Sequence, residues 1–277
     1  MAGHVQLPNR LLSRVEVSDR FYLRPLLRTL TFPHVAFVLA LAQGSVRVVE
    51  VTPDLDPAPI NVDDLPSDVA SAAGKSSIVD RAPSRRLQGS EGQKVRMRQY
   101  ARQVDRALRP FLNGLEVPLI LAATEPIDSI YRSVNTYPHL LAQGISRNPE
   151  TVSDAELAAS ARAVLDDLYA AQLRDIHELY RQRSANGRTL SDVAEIARTA
   201  TFGAVETLLV DIDAAVPGTV DGETGAVTFA PAATHDVHDV TDEIARRAWL
   251  SGARVLAVRN RDIPGRGPVA AILRYTL

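Results

Sequence analysis

The sequence contains no cysteine among its 277 residues. That excludes a disulfide framework, a thiolate metal site, a cysteine nucleophile and a thiol redox switch, and it is compatible with a cytoplasmic compartment. No stretch reaches the ~18 uninterrupted apolar residues of a membrane span, and Met1 to Val17 contains no apolar core of signal-peptide length. The expectation is a cytoplasmic protein with no membrane partner. A large excess of either charge is also missing: the net is -2, so no broad basic surface of a general nucleic-acid binder is present. There is no internal repeat and no low-complexity tract. With 45% hydrophobic and 23% charged residues, the composition is that of a globular chain large enough for two domains.

Dividing the charge is informative. Residues 1–146 hold 17 Lys+Arg and 14 Asp+Glu, while residues 147–277 hold 14 and 19. Between Val79 and Pro110 there are nine Lys/Arg against three Asp/Glu. A local basic patch on a near-neutral chain is either a solvated helix face or one docking face for a polyanion.

Along the chain, Val35–Ala42 is a continuous apolar run. Gln43-Gly44-Ser45 and Val46–Val51 follow, which predicts a hairpin whose first strand is buried on both faces. Gly44 is expected to supply a positive φ in the turn. Thr52 to Glu91 carries five prolines and weak periodicity, which predicts a long mobile segment with one short helix at Ser67–Ala73. Gln93–Leu112 has an apolar stripe of Met97, Tyr100, Val104, Leu108 and Phe111 at helical spacing. Beside it runs a basic stripe of Lys94, Arg98, Arg102 and Arg106, and Asn113-Gly114 stops the helix. Val117–Ala123 predicts a strand, Ile127–Val134 a helix and His139–Ser146 an extended segment. Asn148-Pro149 marks an element boundary, and Ser153 with Glu156 forms a capping box for a helix to about Arg183. Helices at Ser191–Thr201 and Asp236–Leu250 then alternate with strands at Val205–Ile212, Gly218–Phe229, Arg254–Arg259 and Val269–Tyr275. That is the pattern of an α/β layered domain.

Several motifs carry little chemistry. Gly74-Lys75-Ser76 lacks the earlier glycine of a phosphate-binding loop, since Val69 stands there. Ser90 lacks the glycine two positions before it that a nucleophile elbow needs. His235 and His238, with Asp236 and Asp239, have metal-ligand spacing but fall at a helix start, where capping is the simpler role. Asp211 and Asp213 end a strand where α/β enzymes place catalytic carboxylates, yet no partner lysine or phosphate loop accompanies them. No cofactor and no metal are expected.

One stretch stands apart: Arg85-Arg86-Leu87-Gln88-Gly89-Ser90-Glu91-Gly92-Gln93-Lys94, a basic segment ending in Gly-Gln and leading into the basic helix. It resembles the catalytic loop and following helix in the middle domain of archaeo-eukaryotic peptide release factors and their Pelota-like relatives. There the tip is Gly-Gly-Gln; here Gly92 and Gln93 match its last two positions and Glu91 replaces the first glycine. Phe37–Val51 resembles the hairpin of that RNase H-like domain. Ile130–Leu140 (IYRSVNTYPHL) resembles a signature of the bacterial archaeo-eukaryotic release-factor-like branch. Gly203–Val210 resembles the start of the release factors' third domain. The fold implied is α/β. An RNase H-like middle domain spans 1–148 with a mobile loop over 52–93, and an α/β/α sandwich of the release-factor and Pelota third-domain type spans 149–277.

The function implied is ribosome association in translation termination or ribosome rescue. The implied partners are the ribosome, rRNA and peptidyl-tRNA. On this resemblance Gly92 and Gln93 are the candidate catalytic tip. Arg85, Arg86, Lys94, Arg98, Arg102 and Arg106 are the candidate RNA-binding residues. Release is hydrolysis of the peptidyl-tRNA ester; small residues let the tip enter a narrow RNA site, and the glutamine donates where negative charge develops. Glu91 brings a carboxylate toward phosphates. Three readings remain open on the residues: a peptidyl-tRNA hydrolase, a non-catalytic ribosome- or RNA-binding adaptor, and a phosphoryl-transfer enzyme built on Asp211 and Asp213. The oligomeric state is not encoded in any of these features.

Overall fold

The computed structural model describes residues 27, 31–32, 35–76, 90–231 and 238–276. The chain divides into two compact units, one of residues 34–167 and one of residues 1–33 with 168–277.

In the first unit, β1 (Ala36–Leu41), β2 (Val46–Val51), β3 (Ala58–Ile60) and β4 (Leu119–Ala122) form a sheet of order β3-β2-β1-β4. β1 is antiparallel to β2 and parallel to β4. All six β1 residues are buried, as a central strand covered on both faces requires. Phe37, Leu39 and Leu41 share a core with Met97, Tyr100, Val104 and Leu108 of α2 (Ser90–Leu112). Between them in sequence, α1 (Val69–Ser76) places Ala72 in the same core. A short α3 (Ile127–Arg132) follows β4. The segment expected as extended at 139–146 reaches β4 only through single bridges, Leu140 to Leu119 and Ile145 to Ala122.

The expected mobile segment over 52–93 is revised. Residues 58–60 pair with β2, Val62 is buried, and α1 begins on a bond from the Val69 N–H to the Gln43 carbonyl. Residues 77–89 lie outside the described residues. Gly44 does not adopt a positive φ. A Cβ there would meet only the exposed end of the Glu150 side chain, whose Oε1 accepts the Gly44 N–H at 2.9 Å and can shift, so neither φ nor space demands glycine at this turn.

The expected boundary at 148/149 lies at the turn before α4 (Asp154–Ser184), whereas the two units divide inside that helix. The reason is side-chain bonding. Arg47 of β2 donates to Asp154 Oδ1 (2.8 Å), the Pro149 carbonyl (3.0 Å) and the Val152 carbonyl (2.7 Å). Arg162 donates twice to the Thr52 carbonyl. The capping box forms as spaced, with reciprocal bonds between Ser153 and Glu156.

In the second unit, β5 (Thr189–Leu190), β6 (Val205–Asp211), β10 (Arg254–Val258) and β11 (Val269–Leu273) form a sheet of order β10-β6-β11-β5. Leu208 and Val210 face a core with Ile196 and Ala200 of α5 (Val193–Thr201) and Ile244 and Ala248 of α6 (Val240–Leu250). Leu209, Leu256 and Ala270 instead meet Ile176, Leu173 and Tyr180 of α4. This unit is an α/β/α sandwich. A small sheet of β7 (Pro217–Val220), β8 (Val227–Phe229) and β9 (His238–Asp239) borders α6. The helix expected from Asp236 starts at Val240, because His238 is paired with Gly218 and Asp239 caps the helix by accepting the Thr241 N–H.

Candidate nucleic-acid interface

Helix α2 sets out the site. Met97, Tyr100, Val104 and Leu108 recur every three or four positions and are buried, Phe111 is partly buried, and the Tyr100 hydroxyl donates to the Ala42 carbonyl at 3.1 Å. Burial raises the Tyr100 pKa well above its ordinary value, with the Asp68 and Glu150 charges adding to the rise. The helix is thereby fixed to the β1–β2 turn. Gly114 at φ 76° ends it, a left-handed conformation that glycine adopts without strain.

Lys94, Arg98, Arg102 and Arg106 are all exposed. At a spacing of four they form one stripe, with about 6 Å of helix axis between neighbours. Among the described residues none of the four forms an ion pair. Arg109, on the same helix, differs: it pairs with Asp105 at 2.8 Å. The stripe is a row of cations with no internal carboxylate partner.

The helix begins at Ser90, so Gly92 and Gln93 lie in its first turn rather than at a loop apex. Gly92 is buried and Gln93 is exposed. Gln93 Nε2 makes one long contact, 3.5 Å from Gln43 Oε1 of the hairpin turn, which leaves the amide able to turn to another acceptor. The N-terminal end of the helix carries the positive pole of the macrodipole, which favours anions at this turn. Arg85 and Arg86 lie outside the described residues.

The segment Ile130–Leu140 does not reach the tip. Tyr131 is fully buried and its pKa is raised by that burial. Asp105 accepts the Thr136 N–H at 2.8 Å and the Thr136 hydroxyl at 3.0 Å. The Tyr137 hydroxyl donates to the Val117 carbonyl at 2.7 Å. A cavity of 590 Å³ lies here, at the C-terminal end of α2, lined in part by Asp105, Arg109, Tyr131 and Thr136. These residues hold the end of α2 against the loop after α3. Asp105 was not singled out by sequence; its one available signal is a carboxylate interrupting the basic run.

Asp211 is buried and already bonded: Oδ1 accepts the Asp213 N–H at 2.9 Å and Oδ2 accepts Asn260 Nδ2 at 3.0 Å. It fastens the end of β6 to the β10–β11 connection, which removes the geometric basis for phosphoryl transfer there. His238 and Asp239 serve β9 and the α6 cap, while His235 and Asp236 lie outside the described residues. Among the described residues no group of three His, Asp or Glu side chains is placed to hold a metal. Nor is any described helix long and apolar enough to cross a membrane.

The fold has counterparts among solved structures. A chain of the model of ribosome-bound archaeal Pelota and ABCE1 is 15% identical with TM-score 0.53, covering 90% of this chain and 64% of its own length. Dom34 of S. cerevisiae, a translation termination-like factor involved in RNA quality control pathways and interacting with Hbs1, is 12% identical with TM-score 0.51, covering 87% of this chain and 63% of its own. This chain therefore spans less than two thirds of either. These likenesses show the mixed α/β fold that the resemblance implied. No curated protein matches the chain. A family model does, over residues 33–171, half of the sequence. By that match the chain belongs to bacterial archaeo-eukaryotic release factor family 11.

Proposed function

We propose that this protein is a ribosome-associated factor of release-factor type, acting in translation termination or ribosome rescue. The observation that carries the reading is the row Lys94, Arg98, Arg102 and Arg106, four exposed cations with no carboxylate partner among the described residues, beginning directly after the Gly92-Gln93 pair. Such a row binds phosphates by releasing their counterions. The fold shared with a ribosome-bound archaeal Pelota supports the ribosome as the source of those phosphates.

In this reading the stripe holds rRNA and directs the first turn of α2 at the peptidyl-tRNA ester. Water attacks the ester carbonyl, negative charge develops on its oxygen and the Gln93 amide donates to it. The ester C–O bond then breaks, the ribose oxygen leaving as a hydroxyl with a proton from the attacking water and the peptide leaving as its carboxylate. A donor already placed at that point contributes a few kcal/mol. Gly92, buried beside Gln93 in the free protein, adds no side-chain bulk to the turn. Two observations favour a second reading, a non-catalytic ribosome- or RNA-binding adaptor: Gln93 sits inside a helical turn beside Gln43, and Glu91 precedes the pair. A peptidyl-tRNA release assay on programmed ribosomes separates the two. Release that depends on Gln93 supports the hydrolase, and ribosome binding without release supports the adaptor.

A further inference from the structure

The second unit carries a basic feature that the α2 site does not use. Residues 254–277 contain five arginines and one acidic residue, Asp262. Arg254 begins β10 and Arg274 is bonded to the Val205 and Ser251 carbonyls. The other three, Arg259, Arg261 and Arg266, lie on the connection from β10 to β11 and all are exposed.

That connection is built as a platform. It consists of a 3-10 turn, Asn260–Asp262, followed by a kinked turn at Pro264–Arg266. The Asn260 amide donates to Asp211 Oδ2 (3.0 Å), the Arg266 carbonyl (3.1 Å) and the Gly267 carbonyl (3.2 Å). Ile263 is buried in the core beneath. His177 Nε2 donates to the Asp262 carbonyl at 2.7 Å. Gly265 at φ 80° and Arg266 at φ 53° turn the chain sharply. A left-handed arginine is uncommon, and here the surrounding bonds hold it.

Three guanidinium groups are thus presented from a pinned backbone. Among the described residues Asp262 pairs with Arg261 alone, at 3.7 Å, and Arg261 remains 74% exposed. Two further carboxylates among the described residues lie at this end of the sheet: Asp211, buried and bonded to Asn260, and Asp213, whose N–H donates to Asp211. No large hydrophobic side chain is exposed on the connection, so it lacks the buried apolar anchor at the centre of a protein-protein hot spot. Guanidinium forks match phosphate oxygens two at a time, and a pinned backbone loses little freedom on binding.

The geometry points to the 259–266 connection as a second RNA-docking surface, where Arg259, Arg261 and Arg266 hold phosphodiester groups of structured RNA. The inference rests on the ribosome reading for its partner, but on different residues of a different unit. Sedimentation of the full chain with purified ribosomes across a KCl series tests it. The Arg259→Ala/Arg261→Ala/Arg266→Ala variant is expected to bind less tightly than wild type. Its log-affinity slope against log salt should be shallower by roughly 2 to 3, from about 0.7–0.9 for each phosphate contact. The triple lysine variant, which keeps the charge and loses the fork, is expected between the two. If the triple alanine variant does not fold, Arg261→Glu alone is measured, with the same direction expected. Affinity and slope equal to wild type in the variants, while Arg98→Ala/Arg102→Ala weakens binding, overturns the second surface and leaves the ribosome reading standing. Wild type that fails to sediment with ribosomes at low salt overturns both.

Discussion

Glu243 offers a quantitative test of the second unit's architecture. It lies in the first turn of α6, and its side chain is almost fully buried. Oε1 accepts from Arg246 Nη2 at 2.7 Å and from Arg247 Nε at 2.6 Å, while Oε2 accepts from Arg246 Nε at 2.8 Å. Arg247 continues the network to the Thr201 hydroxyl and the Asp221 and Val220 carbonyls, joining α6 to α5 and β7. Burial pushes the Glu243 carboxyl up, and the bonds and charges of the two arginines override it, holding the pKa at about 2 against an ordinary 4.5. A group depressed on folding contributes stability that is present above its unfolded pKa and lost as pH falls through the folded one. The depression corresponds to roughly 3 kcal/mol at neutral pH, lost as the pH falls from about 4.5 toward 2. Glu243→Gln removes the charge and leaves Arg247 buried against a neutral amide. The expected cost at neutral pH is therefore also about 3 kcal/mol. Trp249, the only tryptophan in the chain, sits on the same helix, so urea unfolding followed by its fluorescence reports this unit. Wild type should lose stability steeply below pH 4.5 and the variant should lack that component, the two curves converging in acid. A variant within about 0.5 kcal/mol of wild type at neutral pH, or one with a parallel pH profile, refutes the reasoning.

Three further outcomes are expected. Arg98→Ala/Arg102→Ala should lower the salt slope of ribosome binding by about 1.5, measured by sedimentation, with the far-ultraviolet circular dichroism unchanged because both side chains are exposed. If the protein is a hydrolase, Gln93→Ala should cost about 2–4 kcal/mol of transition-state stabilisation in a single-turnover release assay with ribosome affinity retained, and Glu91→Gly should raise the rate. Asp105→Asn should destabilise the first unit by about 1–3 kcal/mol in urea unfolding, because the amide cannot accept every bond that the carboxylate takes from Thr136 and Arg109.

The parts of the fold legible in the sequence are those fixed by local periodicity. The apolar stripe from Met97 to Leu108 defined α2, and the unbroken run Val35–Ala42 marked a strand buried on both faces. The start of α2 was not legible. Helix onset depends on Ser90 and Glu91 joining the first turn ahead of Gly92, and glycine has low helix propensity. Strand β3 was hidden because Pro59 discourages a strand. It exists as an edge, paired antiparallel with β2 through Val48 with Ile60, Val49 with Pro59 and Glu50 with Ala58. The division inside α4 depends on Arg47 and Arg162 reaching across about a hundred residues, which periodicity does not carry. The site divides the same way. The Lys94–Arg106 stripe could be read from spacing alone. Asp105 with Thr136, and Asp211 with Asn260, are pairs made by tertiary folding and have no local signal.

Ribosome association is the claim on which the rest depends. It is tested most directly by sedimenting the full chain with purified ribosomes through a sucrose cushion at low and at high salt. The account predicts that the protein pellets with ribosomes at low salt and is released as salt rises. Protein that stays in the supernatant at low salt, or that pellets equally at both, contradicts it.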